Sequence, residues 1–161
     1  MALLISKLDL AAGQIGICPM PGRGGDYADD LEVVRAWGPT LVLSMTPKAE
    51  MAAHGAAGFG ADLAQAGIGW AQLAVGDFTA PSADQAADWQ AISASARAVL
   101  HGGGKVLAHC MAGCGRSGAA VLRLMVELGE SPDAALTRLR AVRACAVERP
   151  EQFAWASEGL A

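Results

Sequence analysis

One stretch constrains this chain more than any other: Val106-Leu107-Ala108-His109-Cys110-Met111-Ala112-Gly113-Cys114-Gly115-Arg116-Ser117-Gly118. Val106 to Ala108 is a short apolar run that reads as a buried strand. Ala119 to Leu128 reads as a mostly buried helix, with Gly129 as its stop. Between them lies a loop of small residues. A cysteine therefore stands at the C-terminal end of a strand, and the loop leads it into a helix N-terminus. Such a loop can turn its N–H groups inward, and the helix dipole favours negative charge at its start. Arg116, six positions beyond Cys110, can add two charge-assisted hydrogen bonds to the same anion. The stretch suits a tetrahedral oxyanion.

The succession His109-Cys110, five residues, then Arg116-Ser117 resembles, residue for residue, the signature of the cysteine-dependent protein tyrosine phosphatase superfamily. The resemblance implies a phosphomonoester hydrolase with Cys110 as nucleophile. Met111, Ala112, Gly113, Cys114, Gly115 and Arg116 would then cradle the phosphate. Ser117 would hydrogen-bond the cysteine sulfur and help it leave, and His109 would fix the loop from behind rather than act as a base. Elementary chemistry agrees with the central pair. A free cysteine titrates near pH 8.5, and beside cations or helix N-termini this falls to about 3.5–7.5. The thiolate can attack phosphorus and form a covalent intermediate. Arginine offers a planar fork that lysine lacks, and an arginine at a helix start conflicts with the dipole unless an anion sits there. Gly113 and Gly115 let the backbone approach a ligand closely. The alternative for Cys110 is a small, inert core side chain.

The implied reaction needs an acid for the departing ester oxygen and a base for the later water. Asp77 follows the apolar run Trp70–Val75 directly and lies in the loop Gly76–Pro81. In the resembling family the acid sits on such a loop, some thirty residues before the cysteine. Asp77 matches in position and context, whereas Asp62, Asp84 and Asp88 fall in or at helices. Larger tyrosine-specific members carry Trp-Pro before this aspartate; this chain has Val75-Gly76. An ordinary turn aspartate is the competing reading.

At 161 residues the chain is expected to form one domain, residues 1–161, with a single real core. The remaining elements follow in order. Leu3–Leu10 and Gln14–Cys18 read as a strand hairpin around Ala11-Ala12-Gly13. Two prolines and three glycines make Cys18–Gly25 a loop. Asp26 caps a helix to about Trp37, and Gly38-Pro39 ends it. Thr40–Met45 is a buried strand, Thr46-Pro47 begins a short helix, and a second short helix spans Gly60–Ala66. Ser82 caps a long helix to about Leu100, with Trp89, Ile92, Ala96 and Val99 on one face. Ser131-Pro132-Asp133 starts a helix to about Ala144, and residues near Pro150 to Ser157 form the last. Strands alternating with helices predict an α/β domain: a mostly parallel central sheet of about five strands flanked by helices, in three layers. Ligands bind beyond the C-terminal strand ends of such sheets, where Cys110 lies.

The chain's shortness favours the compact dual-specificity branch, and Ile15–Arg23 resembles the segment before the first helix in kinase-associated phosphatases. That segment is either a wall of the pocket or a plain Pro/Gly loop. Phosphoinositide phosphatases of the superfamily often carry lysine or arginine inside the loop. Met111–Gly115 are uncharged, so a phosphorylated protein side chain fits better: phosphotyrosine, with phosphoserine and phosphothreonine as further candidates.

A net charge of −4 argues against a nucleic-acid partner. No apolar run reaches the roughly 20 residues that span a bilayer, and Lys7 and Asp9 interrupt Met1–Ile5 too early for a signal peptide. Cys18, Cys110, Cys114 and Cys145 lack paired zinc spacing, so no metal or cofactor is expected. The default location is a reducing cytoplasm with free thiols. Abundant alanine, with arginine exceeding lysine, points to a GC-rich bacterial source.

Three questions stay open at this level. Cys114 is a small loop side chain or a redox partner of Cys110. Arg138, Arg140 and Arg143 line the pocket or face water. The chain is a phosphatase, a phosphoprotein-binding pseudophosphatase module, or a thiol enzyme of the rhodanese or arsenate-reductase type.

Overall fold

The computed structural model describes residues 2–160, so Met1 and Ala161 at the ends of the expected domain lie outside the described residues. The sheet has five strands: β1 (Ser6–Leu10), β2 (Gly13–Cys18), β3 (Leu41–Ser44), β4 (Gly69–Gln72) and β5 (Lys105–His109). Their spatial order is β1-β2-β5-β3-β4. β1 and β2 form the expected antiparallel hairpin, and every other pairing is parallel. β5 is the central strand. Its two neighbours end level with it, Cys18 and Ser44 both pairing with His109.

Side chains alternate across a strand, and the core divides accordingly. Val106 and Ala108 of β5 and Leu41 and Leu43 of β3 pack into one cluster with Trp89, Leu100, Val121 and Leu122. Leu107 and Val42 face the other way, among Leu31, Val34, Phe59 and Leu63. The first face is covered by α4 (Ala86–His101), α5 (Gly115–Glu127), α6 (Pro132–Val142) and α7 (Pro150–Ser157). The second is covered by α1 (Tyr27–Trp37), α2 (Lys48–Ala52) and α3 (Phe59–Gln65). This is the expected three-layer α/β domain.

Local chemistry accounts for the helix ends. Asp26 caps α1 by accepting from Asp29 N–H at 3.1 Å, and Gly38 terminates it in the left-handed region at φ 75°. Pro132 and Pro150 occupy the first turns of α6 and α7.

Several boundaries differ from expectation. α2 starts at Lys48 with Pro47, not Thr46, in the capping position. The Ser82 helix opens as a 3-10 turn, Ala83–Gln85, before α4 proper. β4 covers Gly69–Gln72, not Trp70–Val75. It is an edge strand whose one partner, β3, ends at Ser44, so no ladder remains for residues 74–75. α5 begins at Gly115, because Arg116 and Ser117, polar in sequence, form its buried first turn.

Candidate active site

The loop from β5 to α5 carries Cys110, and its surroundings fix each part. Ser117 lies in the first turn of α5, with its Oγ 3.1 Å from the Cys110 sulfur. His109 is fully buried at the end of β5. Its Nδ1 lies 3.1 Å from the Cys110 carbonyl, which can only accept, so Nδ1 carries the proton. Its Nε2 then accepts from Ser44 Oγ at 2.5 Å, and Ser44 in turn accepts from Trp70 Nε1–H at 2.8 Å. The relay fits a neutral ring. Burial lowers the His109 pKa to about 4, Arg116 nearby adding to the effect against the Cys110 carbonyl. Unfolded, the ring would take its proton near pH 6.5, so the stability gained from burying it neutral is lost as pH falls from there toward 4.

Arg116 is almost wholly buried. Its guanidinium forms a fork with Glu50 of α2, Nη1–Oε1 at 3.1 Å and Nη2–Oε2 at 2.8 Å. Nη1 also donates to the Val75 carbonyl at 2.9 Å. Burial works against the charge, but Glu50, Cys110 and Asp77 outweigh it and raise the arginine's pKa. Its Nε–H is buried and has no hydrogen-bond partner among the described residues. An orphaned, charged donor beside Cys110 is the feature an incoming oxyanion would satisfy. Sequence reasoning missed Glu50, which lies 66 residues away on a five-residue helix.

Asp77 stands where the loop after β4 meets this group. Its carboxylate lies 3.4 Å from Arg116 Nη2 and is about half exposed. The structure thus brings Cys110, Arg116, Ser117 and Asp77 together. Asp77 Oδ1 accepts from the Phe78 N–H at 2.9 Å, and Phe78 sits at φ 60°, a rare conformation for an aromatic residue. The Phe78 ring is half exposed, with the Arg149 guanidinium 4.8 Å from its centroid. Gln152 of α7 donates to the Thr79 carbonyl at 3.2 Å, which ties this loop to the C-terminal helix.

The loop's own backbone is held from outside. Met111 O accepts from Met20 N–H, Ala112 O and Gly113 O from Arg143, and Cys114 O from Val147 N–H. The Cys18–Met20 segment therefore backs the loop. Gly113 has φ 72°, and a Cβ there would lie 2.5 Å from the Cys18 backbone. At Gly115 a Cβ would lie 2.5 Å from Glu148 Oε1 and 2.8 Å from Gln152 Nε2, both side-chain ends that would have to shift. Of the arginines left open between pocket and solvent, Arg138 pairs with Glu130, and Arg140 donates to the Ala146 and Val147 carbonyls.

Cys114 pairs with Cys145 in a disulfide, their Cα atoms 5.1 Å apart, while Cys18 and Cys110 are free. This corrects the default of four free thiols, and Cys114, left open as a small loop side chain or a partner of Cys110, is engaged by Cys145. Burial, with Cys110 adding to it, pushes the Cys18 thiol up, so it stays neutral. Closing a loop of sequence separation 31 restricts the unfolded chain. Cys145→Ser is accordingly expected to lower the unfolding free energy by about 2–4 kcal/mol. Urea unfolding checks this: dithiothreitol should destabilise the wild-type protein and leave Cys145→Ser unchanged.

A family profile described as "Tc-R-P: Polymorphic toxin system, DSP-PTPase phosphatase" matches residues 21–130, a span containing Asp77, Cys110, Arg116 and Ser117. No curated protein sequence matches the chain. Among solved structures, kinase associated phosphatase with its catalytic cysteine replaced by serine superposes with a TM-score of 0.86 at 22% identity, covering 98% of this chain and 94% of that one. Tk-PTP in the active form gives 0.74 at 28% identity, with 96% of both chains covered. The human tyrosine phosphatase-like serine/threonine/tyrosine-interacting protein gives 0.72 at 19%, covering 98% and 94%. The fold is that of the dual-specificity phosphatases.

Proposed function

The chain belongs to the DSP-PTPase phosphatase family of polymorphic toxin systems, and on that footing we propose that it hydrolyses phosphomonoesters through a cysteinyl-phosphate intermediate. The observation that carries the reading is the buried Arg116 beside Cys110, with its fork held by Glu50 and its Nε–H unpartnered. A phosphate seated in the loop accepts from that Nε–H and from the loop amides. The Cys110 thiolate attacks phosphorus in line, and the ester oxygen leaves on the opposite side with a proton from Asp77. Arg116 and the loop amides meet the charge on the equatorial oxygens. In the second step Asp77, now a carboxylate, takes a proton from water, which attacks the phosphocysteine. Ser117 donates to the departing sulfur. No step requires a metal.

The five uncharged residues Met111–Gly115 suit a dianionic monophosphate rather than a polyphosphorylated headgroup. The substrate class is a phosphorylated protein side chain, phosphotyrosine first and phosphoserine or phosphothreonine next.

The test is turnover of para-nitrophenyl phosphate with vanadate as inhibitor. Asp77→Asn should lower kcat by about 10²–10⁴-fold. The loss should grow with the pKa of the leaving phenol across a series of aryl phosphates. A uniform loss across that series would assign the proton to another group. Vanadate binding without turnover in the wild-type protein would make the chain a phosphoprotein-binding module instead.

A further inference from the structure

Arg143 caps the C-terminus of α6, the first residue of the connection toward α7, and its own N–H still donates to Leu139 O at 2.9 Å. Its side chain turns toward the β5–α5 loop. Nη2 donates to the Ala112 carbonyl at 2.7 Å and Nε to the Gly113 carbonyl at 2.9 Å. One planar group thus takes two successive peptides from their oxygen side. Both contacts are to peptide carbonyls and neither involves a carboxylate; the guanidinium's charge also reaches the buried Cys18 thiol behind the loop.

Peptide geometry gives this a consequence. No peptide among the described residues is cis, and in a trans peptide the C=O and the following N–H point in opposite directions. Fixing the oxygens of Ala112 and Gly113 outward on Arg143 therefore aims the N–H groups of Gly113 and Cys114 toward the loop's interior, the side of Cys110. The cation on the oxygen side also polarises both peptides, making those N–H groups stronger donors. The outer carbonyls are held by backbone N–H groups instead, Met111 by Met20, and Cys114 by Gly118 and Val147.

We propose that Arg143 is a positioning residue: it sets the orientation of the Gly113 and Cys114 amides that receive the substrate's phosphate. The inference rests on the phosphatase reading for its substrate, but the loop geometry it describes can be tested without turnover.

The experiment uses the full chain with its disulfide intact. Arg143→Gln and Arg143→Lys are compared with wild type, and Arg138→Gln, on the same helix but paired with Glu130, serves as control. Three quantities are read: the thermal midpoint, para-nitrophenyl phosphate turnover, and the ¹H–¹⁵N resonances of Gly113 and Cys114 during titration with inorganic phosphate. In wild type and Arg138→Gln both amides should shift with phosphate. In Arg143→Gln the shifts should collapse, phosphate affinity should fall, and kcat/KM should drop on the order of 100-fold, the scale of a misplaced reacting geometry. Arg143→Lys keeps the charge without the fork, and should recover part of the turnover while staying several-fold below wild type.

Wild-type turnover and wild-type amide shifts in Arg143→Gln would overturn the proposal, whatever its thermal midpoint. If Arg143→Gln does not fold, Arg143→Lys decides: equality with wild type overturns the fork. Absence of phosphate-induced shifts in wild type also overturns it. A wild-type protein that shows the shifts but no turnover would sink the phosphatase reading and leave the role of Arg143 standing if Arg143→Gln loses them.

Discussion

Cys110→Ser is expected to remove para-nitrophenyl phosphate turnover, a loss on the order of 10⁶-fold, as deletion of a catalytic nucleophile produces elsewhere, while inorganic phosphate still binds. The two halves have separate physical origins. In the proposed mechanism sulfur is the attacking atom, and a serine hydroxyl in the same place is a far weaker nucleophile and is not ionised at neutral pH. In the same mechanism affinity for the anion is assigned to Arg116 and the loop amides, none of which the substitution touches. Serine is also smaller than cysteine and can keep the contact to Ser117 Oγ, now at 3.1 Å from sulfur, so the loop should persist. Steady-state release of nitrophenolate measures the first half and titration calorimetry with phosphate the second. Full activity in this variant would refute a cysteine mechanism. Loss of turnover together with loss of phosphate binding would place the damage in the loop rather than in the chemistry.

Arg116→Lys should cost about 10²–10³ in kcat/KM, the scale of losing one preorganised donor at a site of developing charge. A lysine keeps the positive charge next to Glu50, whose carboxylate would otherwise lose its partner. What it cannot keep is the division of labour: Nη1 and Nη2 on Glu50, Nη1 on the Val75 carbonyl, and Nε left free for the ligand. The loss should therefore appear in both phosphate affinity and kcat, because the same Nε–H meets the ground-state dianion and the transition state. The thermal midpoint should move little. Alanine is the less informative replacement, since it leaves Glu50 unpaired and confounds folding with catalysis.

The centre of the site was legible because its elements are local. The apolar run before Cys110, the glycines and Arg116 lie within one strand–loop–helix unit, and Asp77 lies in the segment that follows another strand, five residues beyond its end at Gln72. Their meeting follows from the topology, since β4, β3 and β5 are successive parallel neighbours and Gln72, Ser44 and His109 share one register at their ends. What could not be read depends on tertiary neighbours. Glu50 reaches Arg116 from a helix too short to show periodicity. The hydropathy of α5 placed its start at Ala119, four residues late, because a buried first turn of glycine, arginine and serine looks like loop. Spacing among four cysteines does not say which two pair, and only the approach of the α6–α7 connection to the loop selects Cys114–Cys145 and leaves Cys18 and Cys110 free. Arg143 fits the sequence pattern of a helix C-terminus that favours cations; its carbonyl partners sit 30 and 31 residues away.

The central claim is that phosphorus passes through the sulfur of Cys110. The most direct measurement mixes the wild-type protein with para-nitrophenyl phosphate, quenches in acid within the first turnovers, and locates phosphoryl groups by peptide mass spectrometry. A burst of nitrophenol with one phosphoryl adduct, confined to the peptide carrying Cys110, is the predicted result. Nitrophenol release with the adduct on a different residue, or no release at all, would contradict it.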